Sequence, residues 1–254
     1  MKIKFTLVLI FFLGCYYLKS QENQKLDSLK MIVSSQSDSM KILTYSEIIN
    51  LTLSFSPTKA KEYVNFQKGL AKKMRQEWAK GVSKMAEGNY YAATNNYSEA
   101  EDAYQIAKSI FENRKDSLNL SKAFNNLTRP LVLQGKYEKA LAYCLDALRI
   151  NESMNSDKTL LIGNYIAIGN IHSIMQQYNR SLEFYRKAET IAIEIGPELR
   201  LAQVRHNIGS NMMWLKRNNE GVEYFEKNLK FYERTKNDFR MQLHLQPWVT
   251  TILK

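Results

Sequence analysis

The sequence predicts an all-α protein, a solenoid of about five stacked helix pairs. Three observations predict it. Gly and Pro, the residues that break helices, number only 10 and 4 in 254 residues. Hydrophobic residues make up 44% of the chain, enough to bury a core. Small residues recur at a fixed interval, Ala60, Ala100, Ala140, Ser181 and Gly221, with spacings of 40, 40, 41 and 40. Self-similarity at a period of roughly 20 to 50 residues marks a solenoid or an array.

Other positions keep step with these anchors. Three before the anchor stand Pro57, Tyr97, Tyr137, Tyr178 and Asn218; four after it stand Val64, Tyr104, Cys144, Tyr185 and Phe225. Seven after it stand Gln67, Ala107, Ala147, Ala188 and Asn228, and twelve before it stand Ile48, Gly88, Thr128, Gly169 and Gly209. The pattern describes two antiparallel helices in close contact. Small residues at the anchor and twelve before it let the backbones approach, and the residue four after the anchor fills the remaining space. One such pair cannot bury its apolar face alone, so neighbours stack. The outer copies depart most from the pattern, as capping repeats do.

The elements follow in order. "QKLDSLKMIVSS" predicts a capping helix within residues 21–38, and the array covers 39–236. First helices are expected at about 40–54, 79–94, 119–134, 159–176 and 199–216, and second helices at about 58–75, 97–113, 137–152, 178–195 and 218–235. Residues 237–254 have the length of one more first helix without its partner, a C-terminal cap helix or a truncated sixth repeat. Pro130 and Pro247 fall inside first helices, where each removes a hydrogen bond and is expected to kink the chain.

"AFNNLTRPLVLQGKYEKALAYCLDALRI" and "NYIAIGNIHSIMQQYNRSLEFYRKAETI" resemble tetratricopeptide repeats, and "RHNIGSNMMWLKRNNEGVEYFEKNL" does so less closely. The resemblance implies a right-handed superhelix with a concave face lined by first helices. The usual repeat has about 34 residues. The extra residues here are assigned to longer second helices and to inter-repeat loops such as "NESMNSDKT" and "ERTKND". Long repeats behind a short leader resemble exported segments of Bacteroidetes signalling proteins.

The leader is residues 1–20. "MKIK" supplies positive charge and "FTLVLIFFL" an apolar stretch too short to span a bilayer comfortably. Cleavage after Ser20 gives a periplasmic or secreted protein. Gly14-Cys15 alternatively resembles the end of a lipobox, which makes Cys15 a lipid anchor and the protein an outer-membrane lipoprotein; an uncleaved anchor is a third reading. Beyond the leader only Cys144 remains, so no intrachain disulfide forms. Lys2, Lys4 and Lys19 carry three of the eleven net positive charges, so cleavage leaves +8.

Nothing in the sequence points to catalysis. It holds no H-E-x-x-H, no G-x-S-x-G, no glycine-rich phosphate loop and no Cys-x-x-Cys. His172, His206 and His244 sit at three different repeat positions, so no metal and no cofactor is expected, and His172 reads as an interhelical packing residue. Cys144 occupies a core position and reads as a small buried hydrophobe. The run from Lys59 to Lys84 reads as a solvated basic face, with an acidic partner or anionic lipid second and nucleic acid excluded by export.

The resemblance places groove positions fifteen, eleven and eight residues before each anchor. These are Met85, Asn89 and Ala92, then Asn125, Arg129 and Val132, then Ile166, Asn170 and Ser173, then His206, Ser210 and Met213. From these, Asn89, Asn125, Arg129, Asn170, Ser173, His206, Ser210 and Met213 are the expected peptide-binding residues. The implied function is a non-enzymatic scaffold outside the cytoplasm that holds a peptide or protein segment, its anchor possessing an acidic or C-terminal group. The alternative is the truncated or split sensor portion of a two-component or transcription-regulatory protein.

Overall fold

The computed structural model describes residues 24–155, 157–196 and 198–234. The leader and the expected C-terminal helix at 237–254 lie outside them. The described chain is helical: α1 (24–33), α2 (Asp38–Leu53), α3 (Pro57–Met74), α4 (Glu77–Ala93), α5 (Tyr97–Asn113), α6 (Ser117–Leu133), α7 (Tyr137–Ser153), α8 (Lys158–Ile174), α9 (Tyr178–Ile195), α10 (Glu198–Trp214) and α11 (Asn218–Arg234). No strand occurs among the described residues. The chain divides into two compact units, residues 1–136 and 137–254, with the boundary between α6 and α7.

Sequence explains where the helices start. Pro57 occupies the first turn of α3, where its missing N–H costs nothing. Asp116 caps α6 by accepting from Asn119 N at 3.1 Å, and Asp157 caps α8 by accepting from Thr159 N at 2.8 Å. Their ends are equally regular. A left-handed residue closes the turns between helices at Arg75, Asn95, Lys115, Gly135, Asn155, Gln176, Gly196 and Lys216. Those at 95, 135, 176 and 216 lie five before an anchor, and those at 75, 115, 155 and 196 lie fifteen after one. Each of the first group ends a first helix with a Schellman pair, as where Gln176 N and Gln177 N bond Ser173 O and His172 O at 2.9 and 2.8 Å.

These short turns correct one expectation. The residues beyond the usual repeat length are in the helices of both kinds, which run 16 to 18 residues. Among the described residues they are not in loops: "NESMNSDKT" is mostly the end of α7 and the start of α8, while "ERTKND" lies largely outside the described residues. Pro130 lies inside α6, as expected. α6 continues through it to Leu133, with Gln134 N bonding Pro130 O at 3.0 Å, and the ring is buried.

In unit 1, α2 packs on α3 and α4 on α5, and a core forms from Ile42, Ala79, Val82, Ala107, Phe111 and Ala123. In unit 2, α8 packs on α9 and α10 on α11, around Ile162, Tyr185, Ala188, Val204, Ile208 and Met212. All five anchors are buried. The small residues do what the spacing predicts. A methyl group on Gly169 would come within 2.5 Å of the Tyr185 ring, and one on Gly209 within 2.8 Å of the Phe225 ring. Gly221 faces Gly209 O directly, and Ser181 Oγ donates to Gly169 O at 2.7 Å.

Candidate functional site

The first helices carry the candidate face: α2, α4 and α6 in unit 1, and α8 and α10 in unit 2. In each unit a tyrosine from a second helix fixes an asparagine of the preceding first helix. In unit 1, Asn89 Oδ1 accepts from Tyr104 OH at 2.7 Å and from Asn126 Nδ2 at 2.9 Å. Asn89 Nδ2 donates to Asn50 Oδ1 at 2.8 Å, so one amide ladder links α2, α4 and α6. In unit 2, Asn170 Oδ1 accepts from Tyr185 OH at 2.6 Å and from Asn207 Nδ2 at 3.1 Å. Asn170 is exposed, and its oxygen is occupied by two donors, which leaves its amide N–H groups as the donors it can offer.

Burial governs the two phenols. It pushes Tyr185 up to about 12, against the opposing bonds of Ser181 and Asn207. Burial also raises Tyr104, and the nearby Arg129 charge lowers it in part. Arg129 itself is exposed on α6. Both phenols therefore stay protonated donors at neutral pH.

The remaining expected residues divide. Asn125 and Ser210 are half-buried on α6 and α10. Ser173 is half-buried and donates to Asn211 Oδ1 at 2.7 Å, and Asn211 Nδ2 donates to Ser181 Oγ at 2.6 Å. His206 rests on the Phe225 ring, with centroids 5.6 Å apart. Met213 packs its sulfur against Gly221, which makes it part of the helix contact. Ala92 and Ile166, placed on the groove by offset, are buried in the structure. Asn89, Asn125 and Arg129 lie on first helices of unit 1, and Asn170, Ser173, His206 and Ser210 on first helices of unit 2.

Sequence reasoning missed Asn126 and Asn207. Each lies fourteen before an anchor, an offset that the comparison of copies could have exposed. His172 packs as expected: it is buried, stacks on Phe184 at 5.5 Å and pairs Nδ1 with Gln177 Oε1 at 2.7 Å. Cys144 is fully buried. Among the described residues no three His, Cys, Asp or Glu side chains are placed to hold a metal ion.

Comparison with known proteins gives the fold a name. The family model of the tetratricopeptide repeat matches residues 162–192, which cover most of α8 and the greater part of α9. No curated protein matches the sequence. Among solved structures, BtubC (BKLC) from P. vanneervenii is similar at 14% identity, with a TM-score of 0.71, 86% of this chain and 91% of that one. A signal-transduction ATPase with numerous domains and a tetratricopeptide-repeat sensor, from Pyrococcus horikoshii, is similar at 15% identity and a TM-score of 0.69. That match covers 91% of this chain and 40% of the ATPase. NprR in complex with its cognate peptide NprX is similar at 16% identity and a TM-score of 0.62, over 90% of this chain and 68% of that one.

Proposed function

We propose that the chain is a non-catalytic scaffold of tetratricopeptide-like repeats that holds a peptide or protein segment on its first-helix faces, outside the cytoplasm. The observation that carries the reading is the repeated tyrosine–asparagine hub. A buried phenol and a neighbouring amide occupy Asn170 Oδ1, so the N–H groups of the exposed Asn170 are held without further ordering. Backbone carbonyls of an extended peptide are the matching acceptors. A pre-fixed donor loses little rotamer freedom on binding. Arg129 on unit 1 offers a guanidinium in fork geometry, which suits an acidic side chain or a terminal carboxylate. The complex of NprR with its peptide supports the reading by likeness of fold. The apolar leader at residues 5–13 supports export.

The test uses peptides selected on the purified chain by phage display and measured by fluorescence anisotropy. Asn170→Ala and Arg129→Ala are expected to weaken the selected peptides by on the order of tenfold each, the worth of one good polar contact. Peptides that bind both variants at full strength contradict the proposal. Export is tested separately, by mass spectrometry of the N-terminus of the mature protein. A start at Gln21 supports signal-peptide cleavage, and a diacylglyceryl group on Cys15 supports the lipoprotein form.

A further inference from the structure

One end of unit 1 carries features that the first-helix face does not use. There α1 stops, α2 starts and α3 stops. Asp38, at the start of α2, lies 3.9 Å from Lys41 and 3.8 Å from Lys73, which fixes the end of α3 beside the start of α2. The α1–α2 turn closes with Ser35 N bonding Ile32 O at 3.2 Å, and Thr44 Oγ1 bonds Gln36 Oε1 at 2.7 Å. Large apolar side chains stand in solvent at this end: Met31 is 78% exposed, Met40 50%, and Ile32 and Leu43 47% each. Monomeric proteins seldom leave such residues grouped without a use.

Cations are in excess on this part of the chain. Over residues 24–75 the chain has nine basic residues against four acidic ones. Asp38 is shared by two lysines, and Lys72 and Arg75 at the end of α3 are exposed. Exposed apolar side chains at the end of α1 and the start of α2, with exposed cations at the end of α3, match the two layers of an anionic bilayer surface. Apolar groups enter the headgroup–acyl boundary and cations stay among the phosphates. The sequence places a membrane-seeking segment close by. Residues 5–13 are the apolar leader, and in the form that keeps it residues 14–23 span at most about 35 Å when extended, so this end of unit 1 is within reach of the bilayer the leader occupies.

We propose that the end of unit 1 formed by Met31, Ile32, Met40 and Leu43, with Lys72, Lys73 and Arg75, docks on an anionic membrane surface. The contact is independent of the peptide-binding reading, because it uses α1, α2 and α3 edges that carry none of the proposed ligand residues. It orients unit 1 on the membrane and leaves α4 and α6, which carry that unit's proposed ligand residues, for a partner.

Two exposed methionines report the contact in the unmodified full chain. Met31 and Met40 belong to the proposed edge, and Met154, 42% exposed in unit 2, is the internal control. Peroxide oxidation, read by mass spectrometry, measures their accessibility. The chain is compared in buffer, on phosphatidylcholine vesicles, and on vesicles with about 30% phosphatidylglycerol to supply surface charge. The expected result is a several-fold slowing at Met31 and Met40 on the anionic vesicles alone, with Met154 unchanged and the slowing reversed by high salt. Lys72→Ser/Lys73→Ser/Arg75→Ser, all at exposed positions, is expected to abolish it. Unchanged oxidation of Met31 and Met40 on anionic vesicles overturns the proposal. So does equal protection on both kinds of vesicle. Protection without vesicles overturns it as well: a dependence on protein concentration identifies a second copy of the chain as the occupant, and its absence identifies the chain's own leader.

Discussion

The ring of Tyr104 lies so close to the backbone of Gly88 that a methyl group on Gly88 would come within 2.4 Å of ring carbon Cε1. Unit 2 repeats the arrangement with Gly169 and Tyr185 at 2.5 Å. This contact sets how near two antiparallel helices sit, and it also aims the phenol at the asparagine one residue beyond the glycine. Packing and the candidate site are thus built from one pair of residues in each unit.

Gly169→Ala is therefore expected to destabilise the protein by about 1–2 kcal/mol, the cost of overpacking less the gain in helix propensity. Gly163→Ala, six residues earlier on the same helix with nothing within 4 Å of the added methyl, is expected to stabilise it by about 0.5–1 kcal/mol. Urea denaturation of the two variants checks the opposite signs. Equal effects would mean that the glycine–tyrosine contact does not set the helix spacing.

The turns give a second test. Gln176 and Lys216 hold positive φ values of 59° and 63° where one copy of the same turn has glycine, Gly135 with 74°. An L-residue pays for that conformation and glycine does not. Gln176→Gly and Lys216→Gly are each expected to raise stability by about 0.5–1 kcal/mol, and Gly135→Ala to lower it by about 1 kcal/mol. Thermal melts of the three variants give the comparison.

A third prediction follows from burial of the phenols. Tyr185 ionises near 12 in the folded chain, above the ordinary value of 10.0 that it has when unfolded. A raised value means the stabilisation is complete below pH 10 and is lost as pH climbs through about 12. The loss at the alkaline end is about 2–3 kcal/mol. Denaturation midpoints at successive pH values, with tyrosinate absorbance alongside, should fall in that window. Tyr185→Phe should show a shallower fall, and an equally steep fall would assign the loss to other groups.

Acid provides a fourth. Glu87 is buried, which by itself raises its carboxyl, but Lys84 at 2.6 Å and Lys68 at 3.3 Å outweigh burial and hold it below its ordinary 4.5. Its contribution is present above pH 4.5 and is lost as pH falls below that value. Lys84→Met leaves the carboxylate with the more exposed Lys68 alone, and is expected to destabilise the protein at pH 7 by about 1–3 kcal/mol, less at pH 4. A variant equally destabilised at both pH values would contradict the pairing.

Much of this was legible in the sequence because it depends on volume and period. The anchors, the glycines twelve before them and the aromatics four after them are steric positions, and sterics leave a residue-type signature. Helix starts at Tyr97, Tyr137, Tyr178 and Asn218 fall where the spacing put them. The amide ladder was harder to read. Asn126 and Asn207 are polar residues on helices with many polar residues, and only their partner, one repeat away, distinguishes them. Met213 shows the converse. Its offset from the anchor placed it on the groove, but its long flexible side chain turns back onto Gly221, a choice that offset alone does not determine. The turn residues were hidden because left-handed backbone is met at six of the eight turns by Arg, Lys, Gln or Asn and only at two by Gly.

The central claim is that the first-helix faces hold a peptide. Hydrogen exchange of the chain with and without a selected peptide tests it most directly, because it locates the contact without altering a residue. The account predicts slower exchange on binding in the first helices, α4 and α6 of unit 1 or α8 and α10 of unit 2, with α5, α9 and α11 unchanged. Protection confined to the second helices, with the first helices exchanging as in the free chain, would contradict it.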